Sequence, residues 1–176
     1  MNLTYTPPPR TAMEVFESLP EGTLCQVINN TLYMSPAPNL NHQKFQSNLF
    51  YVLSDLIIRN NLGLLFTPVT DVYLDDENVF QPDLIFIAND NMSIIVDNKI
   101  KGSPDLLIEI LSPSNEKMDT EIKKEMYQQF GVKEYWIANP DDKRIIVYHL
   151  SENKYIEYSN QIGKANSKLL NKEFVL

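Results

Sequence analysis

The hydrophobic positions of this chain alternate between a helical period and a strand period. Over "LNHQKFQSNLFYVLSDLIIRNNLG", Phe45, Leu49, Val52, Leu53 and Leu56 recur at spacings of three and four. That spacing marks an amphipathic helix, with Gly63 as its stop. Upstream, "TAMEVFESLP" reads as a short helix: Thr11 and Glu14 have capping-box spacing and Pro20 ends it, so Glu14 is a cap rather than a catalyst. "CQVINNTLYMS" reads as a hairpin in which Asn29 and Asn30 take the positive φ angles of a tight turn. Four short apolar runs follow as strands, "LLFTPVTDVYL", "PDLIFIA", "SIIV" and "DLLIEIL". "SNEKMDTEIKKEMYQQFGV" is a second helix ending at Gly131, and "EYWIANPDDKRIIVYHL" a hairpin across an Asn-Pro-Asp-Asp turn. "KYIEYS" and the last residues read as edge strands, and residues 1–10, with three consecutive prolines, as a loose extended arm. The order predicts an α/β chain of the α+β kind, a mixed sheet flanked by helices rather than a regular doubly wound one. No repeat or linker interrupts it, so residues 1–176 form a single domain.

Two of the strand runs carry a carboxylate where the pattern calls for apolar residues. Asp83 stands just ahead of Leu84, Ile85, Phe86 and Ile87, and Glu109 lies among Leu106, Leu107, Ile108, Ile110 and Leu111. Both runs read as buried on both faces, and burying an isolated carboxylate costs several kcal/mol unless it is paired, hydrogen-bonded or bound to a cation. The second helix offers a partner. At about 100° per residue, Met118, Ile122, Met126 and Phe130 form its apolar stripe. Lys123 falls at the stripe's edge, with Asp119 one turn before it and Tyr127 one turn after. Lys124 points to solvent. Lys123 rather than Lys124 therefore reaches toward Glu109. Two strand-end carboxylates and a lysine suit Mg²⁺-assisted hydrolysis: the acids are hard oxygen ligands, and the ammonium orients water or stabilises developing charge. The same residues also admit a buried Glu–Lys pair with no metal, and a structural Asp83 that closes a turn. Asp105 reads as a structural hydrogen-bonder on the Glu109 strand, Asp71, Asp75, Asp76 and Glu77 as solvated turn residues, and Trp136 as core.

Charge narrows the partners. Fifteen Lys and Arg stand against 23 Asp and Glu, a formal net charge of −8. That balance argues against tight, non-specific grip on nucleic acid by the metal-free chain, though an acidic site attracts phosphate once divalent cations load it. A lone cysteine, Cys25, allows neither an internal disulfide nor a cysteine-rich zinc site. "MNLTYTPPPRTAMEVF" has no apolar core of signal-peptide length and no run reaches transmembrane length, so the expectation is a soluble, cytoplasmic protein with no membrane partner.

"PDLIFI", "GSPDLLIEILSPSN" and "DTEIKKEMYQQFGVKEYWIANP" resemble the Uma2 family of endonucleases, within the PD-(D/E)XK or restriction-endonuclease-like superfamily. The resemblance runs from the Thr11 helix to the C-terminal strands. It implies a restriction-endonuclease-like fold and Mg²⁺-dependent (or Mn²⁺-dependent) cleavage of nucleic acid, DNA before RNA. It makes Asp83 and Glu109 the metal-binding acids, helped by the backbone carbonyl of Ile110, and Lys123 the catalytic lysine. The lysine usual two residues after the second acid is absent, since Leu111 holds that place. His42, Tyr127 and Gln26 are accessory positions. Gln26 stands where the family has a glutamate and Thr31 where it has a second acid, which bears on a second metal and on full activity. The superfamily's habit of pairing to cut two strands leaves a homodimer open. A fold whose site has decayed into a binding or interaction protein, and hydrolysis of another phosphate ester, are the rival expectations.

Overall fold

The computed structural model describes residues 8–113 and 115–176. Of the arm expected over residues 1–10, positions 1–7 lie outside the described residues, and 8–10 are exposed. The chain runs α1 (Ala12–Ser18), β1 (Cys25–Ile28), β2 (Thr31–Met34), α2 (Leu40–Arg59), β3 (Gly63–Phe66), β4 (Val72–Asp75), β5 (Asn78–Phe80) and β6 (Leu84–Ala88). A 3₁₀ turn over Asn89–Ile94 leads to β7 (Ile95–Val96), β8 (Lys99–Lys101) and β9 (Leu106–Ile110). A π-helical turn, Met118–Lys123, continues into α3 (Lys124–Gln129), followed by β10 (Glu134–Ala138), β11 (Arg144–Ser151), β12 (Lys154–Ile162), β13 (Lys164–Ser167) and β14 (Lys172–Val175).

The strands form two six-stranded sheets, ordered β2-β1-β5-β4-β8-β7 and β12-β11-β10-β9-β6-β3, with β13 and β14 as a separate pair. The expectation of one mixed sheet is thus corrected to two. "LLFTPVTDVYL" breaks at Pro68, and its halves, β3 and β4, join different sheets. Proline has no N–H for a ladder, so a central strand cannot run through it. Both large sheets are mixed: β9 pairs parallel with β10, and β4 with β8, while the remaining pairs are antiparallel. The parallel β9–β10 pair needs a crossover, and the segment carrying the π turn and α3 supplies it.

The second sheet is the centre of the molecule. On one face Phe45, Leu49, Leu53 and Ile57 of α2 pack on Leu84, Phe86, Leu106, Ile108, Ile110 and Trp136. On the other, Ile85, Ile87, Leu107, Tyr135 and Ile137 pack with Met126 and Tyr127 of α3 and with Val72 and Phe80 of the first sheet. Because both faces are covered, β6 and β9 read as continuous apolar runs, as the sequence suggested. α1 covers a smaller cluster with Phe16 against Cys25, Val27 and Val79.

Three local expectations change. α2 ends at Asn60 and Asn61, where Asn61 takes φ 49° and Leu62 N–H bonds the Ile57 carbonyl. Gly63 instead opens β3, where an added Cβ would lie 2.1 Å from the Ile87 carbonyl oxygen, so it is required by close strand approach. "SIIV" is strand only at Ile95–Val96. The second helix starts as a π turn, so Met118, Ile122 and Phe130 are only partly buried while Asp119, Lys123, Met126 and Tyr127 are buried. Thr11 does cap α1, accepting from Glu14 N–H, and Asn29 and Asn30 take φ 49° and 54° in the β1–β2 turn. No helix among the described residues is long and apolar enough to cross a membrane.

Candidate active site

Asp83 sits at the seam between β6 and β9. Its N–H donates to the Ile108 carbonyl (3.1 Å), and its Oδ2 accepts from Ile110 N–H (2.7 Å). α2 reaches the same residue: His42 Nε2 lies 3.2 Å from Oδ2, and Gln46 Nε2 donates to the Asp83 carbonyl at 3.2 Å. Three elements therefore fix one carboxylate, whose Oδ1 receives no hydrogen bond among the described residues. β6 and β9 are neighbours, with Leu84 opposite Ile108, so Asp83 and Glu109 stand at adjoining strand ends.

Glu109 points to the α3 face of β9, because its sequence parity is that of Leu107 and opposite to that of Ile108 and Ile110. Its Oε1 accepts from Tyr127 Oη (2.7 Å) and its Oε2 from Lys123 Nζ (2.9 Å). The same ammonium lies 3.0 Å from Asp119 Oδ1. Glu109, Asp119 and Lys123 are each no more than 3% exposed. The π turn that carries Asp119 and Lys123 is held from outside, for Tyr135 Oη donates to the Asp119 carbonyl at 2.8 Å.

Burial dominates the electrostatics. Burial pushes the Glu109 carboxyl up to about 8, with Lys123 opposing and the charges of Asp119 and Asp83 adding to the rise. Asp119 is raised by burial in the same way, against the pull of Lys123. Burial alone would lower Lys123, but the two carboxylates outweigh it and the ammonium is held charged well above its ordinary range. His42 follows the same logic: burial lowers it, and Asp83, the Ile110 backbone and Asp119 together raise it. Tyr127 is raised well above the usual phenol range by burial and by Glu109, so it acts as a hydrogen-bond donor.

A cleft of about 830 Å³ opens onto these groups, lined among others by Gln26, His42, Asp83, Glu109, Asp119 and Lys123. The structure thus brings Asp83, Glu109, Lys123, His42 and Ile110 together, with Tyr127 behind Glu109. Gln26 is buried on β1, and its Oε1 accepts from Gln81 N–H (3.2 Å) while its Nε2 reaches Ser35 Oγ at 3.5 Å, so its amide braces the Pro82–Asp83 segment. Thr31 is exposed at the start of β2. Asp119 joins the site beyond the residues the sequence singles out; the signal for it is an acid one turn before Lys123 on the same helical side. Asp71 is no solvated turn residue, since Gln81 Nε2 donates to it at 2.8 Å. Lys124 is half-buried with its ammonium 3.8 Å from the centre of the Tyr148 ring rather than free in solvent. Asp105 and Trp136 behave as read: the first accepts from Ala88 N–H, Asn91 and Lys133, and the second is fully buried.

Among the described residues, no three His, Cys, Asp or Glu side chains group closely enough to hold a metal ion between them. Mg²⁺ does not need three, because it keeps several waters and binds through one or two carboxylates. Asp83 with its unengaged Oδ1, Glu109 and the Ile110 carbonyl are hard oxygen donors of that kind, and in the metal-free protein Lys123 supplies the positive charge on Glu109.

No curated protein matches the sequence. Among solved structures, "a putative nuclease belonging to DUF820" from Anabaena variabilis superposes with a TM-score of 0.75 at 18% identity, over 93% of this chain and 92% of that one. The type IIG restriction endonuclease BpuSI aligns with a TM-score of 0.45 at 12% identity, over 77% of this chain and 16% of that one. The first likeness establishes a shared fold. The family model Uma2, described as "Putative restriction endonuclease", matches residues 13–173, nearly the whole chain, and this protein is therefore a member of the Uma2 family with a restriction-endonuclease-like, nuclease fold.

Proposed function

We propose that this protein is a divalent-metal-dependent endonuclease that hydrolyses phosphodiester bonds, with DNA as its substrate. The observation that carries the reading is the meeting of Asp83, Glu109 and Lys123 in one cleft, from two neighbouring strand ends and the helix between β9 and β10. Asp83, Glu109 and the Ile110 carbonyl would hold Mg²⁺, or Mn²⁺ in its place. When bound, the ion polarises the phosphate and lowers the pKa of water. Lys123 hydrogen-bonds the attacking water and offsets the negative charge that grows on the phosphate oxygens. The attacking water gives a proton to solvent and forms the new P–O bond as the bond to the leaving oxygen breaks; that oxygen keeps the electron pair and takes a proton from solvent. His42 holds the orientation of Asp83, and Tyr127 that of Glu109.

A second reading has its own observation. Lys123 already satisfies Glu109 and Asp119 without a metal, and Gln26 brings no charge where the family has a glutamate. Such a closed ion cluster fits a fold kept for binding. Incubating pure protein with plasmid and single-stranded DNA across Mg²⁺, Mn²⁺ and EDTA separates the two. Slow metal-dependent cleavage is expected. Lys123→Ala should reduce the rate by about 10²–10³-fold, and Lys124→Ala should leave it near wild type. If neither wild type nor Gln26→Glu cuts any substrate although metal binds, the binding reading replaces the nuclease one.

A further inference from the structure

The chain buries several carboxylates, and it compensates them in different ways. Glu134, fully buried at the start of β10, is met by neutral donors: Trp136 Nε1 and Ser167 Oγ on Oε1, and the N–H groups of Lys168 and Leu169 on Oε2. Asp105 is met by backbone and amide donors and by a half-exposed lysine. Among the described residues Asp119 has neither kind of shell: its buried Oδ1 is met by the Lys123 ammonium, in a charge-assisted hydrogen bond of 3.0 Å. Lys123 in turn sits between Asp119 and Glu109 at nearly equal distances.

The two partners of Lys123 differ in where they come from. Glu109 belongs to β9. Asp119 belongs to the same π turn as Lys123, and that turn is clamped at Asp119 itself, by its N–H to the Asn115 carbonyl and by the Tyr135 hydroxyl on its own carbonyl. The Asp119–Lys123 pair is thus built into one fixed element, whereas the Glu109–Lys123 pair crosses between elements. If Glu109 were the sole partner, a cation arriving on it would face a buried ammonium with nothing to balance it, and an unpaired buried charge costs several kcal/mol.

We infer that Asp119 is a positioning residue that holds the Lys123 ammonium in the cleft independently of Glu109, so that Glu109 can turn its charge to a divalent cation while the lysine stays in place. This rests on the metal-dependent reading above, but the anchoring itself is testable without metal or substrate.

The test follows the Lys123 ¹⁵Nζ–¹H signal by NMR, assigned by its absence in Lys123→Met, with a crystal structure of each variant. Glu109→Gln stands in for a Glu109 whose charge has been taken up, and it keeps an acceptor for Tyr127. The protected ammonium signal should persist in Glu109→Gln, with Nζ still on Asp119 Oδ1. Loss of that signal, a lysine turned away from Asp119, or a Glu109→Gln protein that does not fold would each overturn the inference, because each means Asp119 alone does not pair the buried charge. Asp119→Asn probes the other half: its lysine depends on Glu109, so saturating Mg²⁺ should abolish the signal there and leave it intact in wild type. If Mg²⁺ binds neither protein, the metal-dependent reading fails, and the Glu109→Gln result still decides the anchoring.

Discussion

Glu109 and Glu134 lie on paired strands, both buried, yet they have opposite consequences. Glu134 is surrounded by neutral donors and serves the packing of the C-terminal strands. Glu109 is held by one phenol and one shared ammonium, with Asp119 and Asp83 close enough to oppose its charge, and its pKa is pushed up to about 8. A carboxyl raised in the folded state binds its proton more tightly folded than unfolded, so protonation favours the fold. The stabilisation is complete below the ordinary value of 4.5 and is lost as pH rises through about 8. Asp119 adds the same sign. The metal-free protein should therefore melt at progressively lower temperature from about pH 4.5 to about pH 8. Glu109→Gln should flatten that decline to the Asp119 share, with its stability near neutral pH equal to or above wild type. Calorimetry in EDTA across this range checks it; parallel curves for the two proteins would show that Glu109 is not the titrating group.

At the scale of elements, the π turn is what aims Lys123, and it is held by a hydroxyl from β10. Tyr135→Phe removes this buried hydrogen bond to the Asp119 carbonyl, at a cost of about 0.5–1.5 kcal/mol. Urea unfolding should show that loss, while Tyr155→Phe, which frees the Val132 carbonyl outside the site, should disturb stability without disturbing Lys123. The turn also marks the limit of what was legible beforehand. α2, the β1–β2 hairpin and the two carboxylate-bearing strands could be read because their periods and turn residues are local. Lys123 rather than Lys124 reaches Glu109, as the helical period expects, because residues four apart stay on one side of a helix in either an α or a π turn. The π turn itself has no proline or glycine to announce it, so Asp119 and Lys123 replaced the expected Met118 and Ile122 as the buried face. The division into two sheets was equally hidden: it depends on which distant strands pair, as with β4 beside β8 and β1 beside β5, and no local pattern encodes that. Glu134 is not legible from local pattern because, Trp136 apart, its donors come from residues 33 to 35 positions later in the chain.

For the whole molecule, the question is how an acidic protein would hold a polyanion. Its net charge is −8, and Lys123, spoken for by two carboxylates, is the one Lys or Arg among the described residues lining the cleft. Beside the carboxylates, His42 and several hydroxyls, the polar lining is carboxamide, from Gln26, Asn39, Gln43, Gln46, Gln81 and Asn115. Amides donate to phosphate oxygens and to base edges but release no counterions, so they contribute little to the salt dependence of binding. On the metal-dependent reading, a divalent cation held by the carboxylates would supply the main attraction for a phosphate. Ca²⁺, a hard oxygen-seeking ion, lets binding be measured apart from cleavage. DNA should bind weakly in EDTA and measurably in Ca²⁺. The metal-dependent part should strengthen as pH rises through about 8, where Glu109 gives up its proton, and Glu109→Gln should abolish it. Each phosphate neutralised by a basic side chain adds about 0.9 to the slope of log affinity against log salt, so a cleft with so few cations should give a slope well short of that of proteins gripping many phosphates. Fluorescence polarisation of labelled DNA over a salt series at fixed Ca²⁺ measures it. Equal binding in EDTA and Ca²⁺, with a steep salt slope, would mean that lysines outside the cleft hold the DNA, and the cleft could not then be the surface that recruits it.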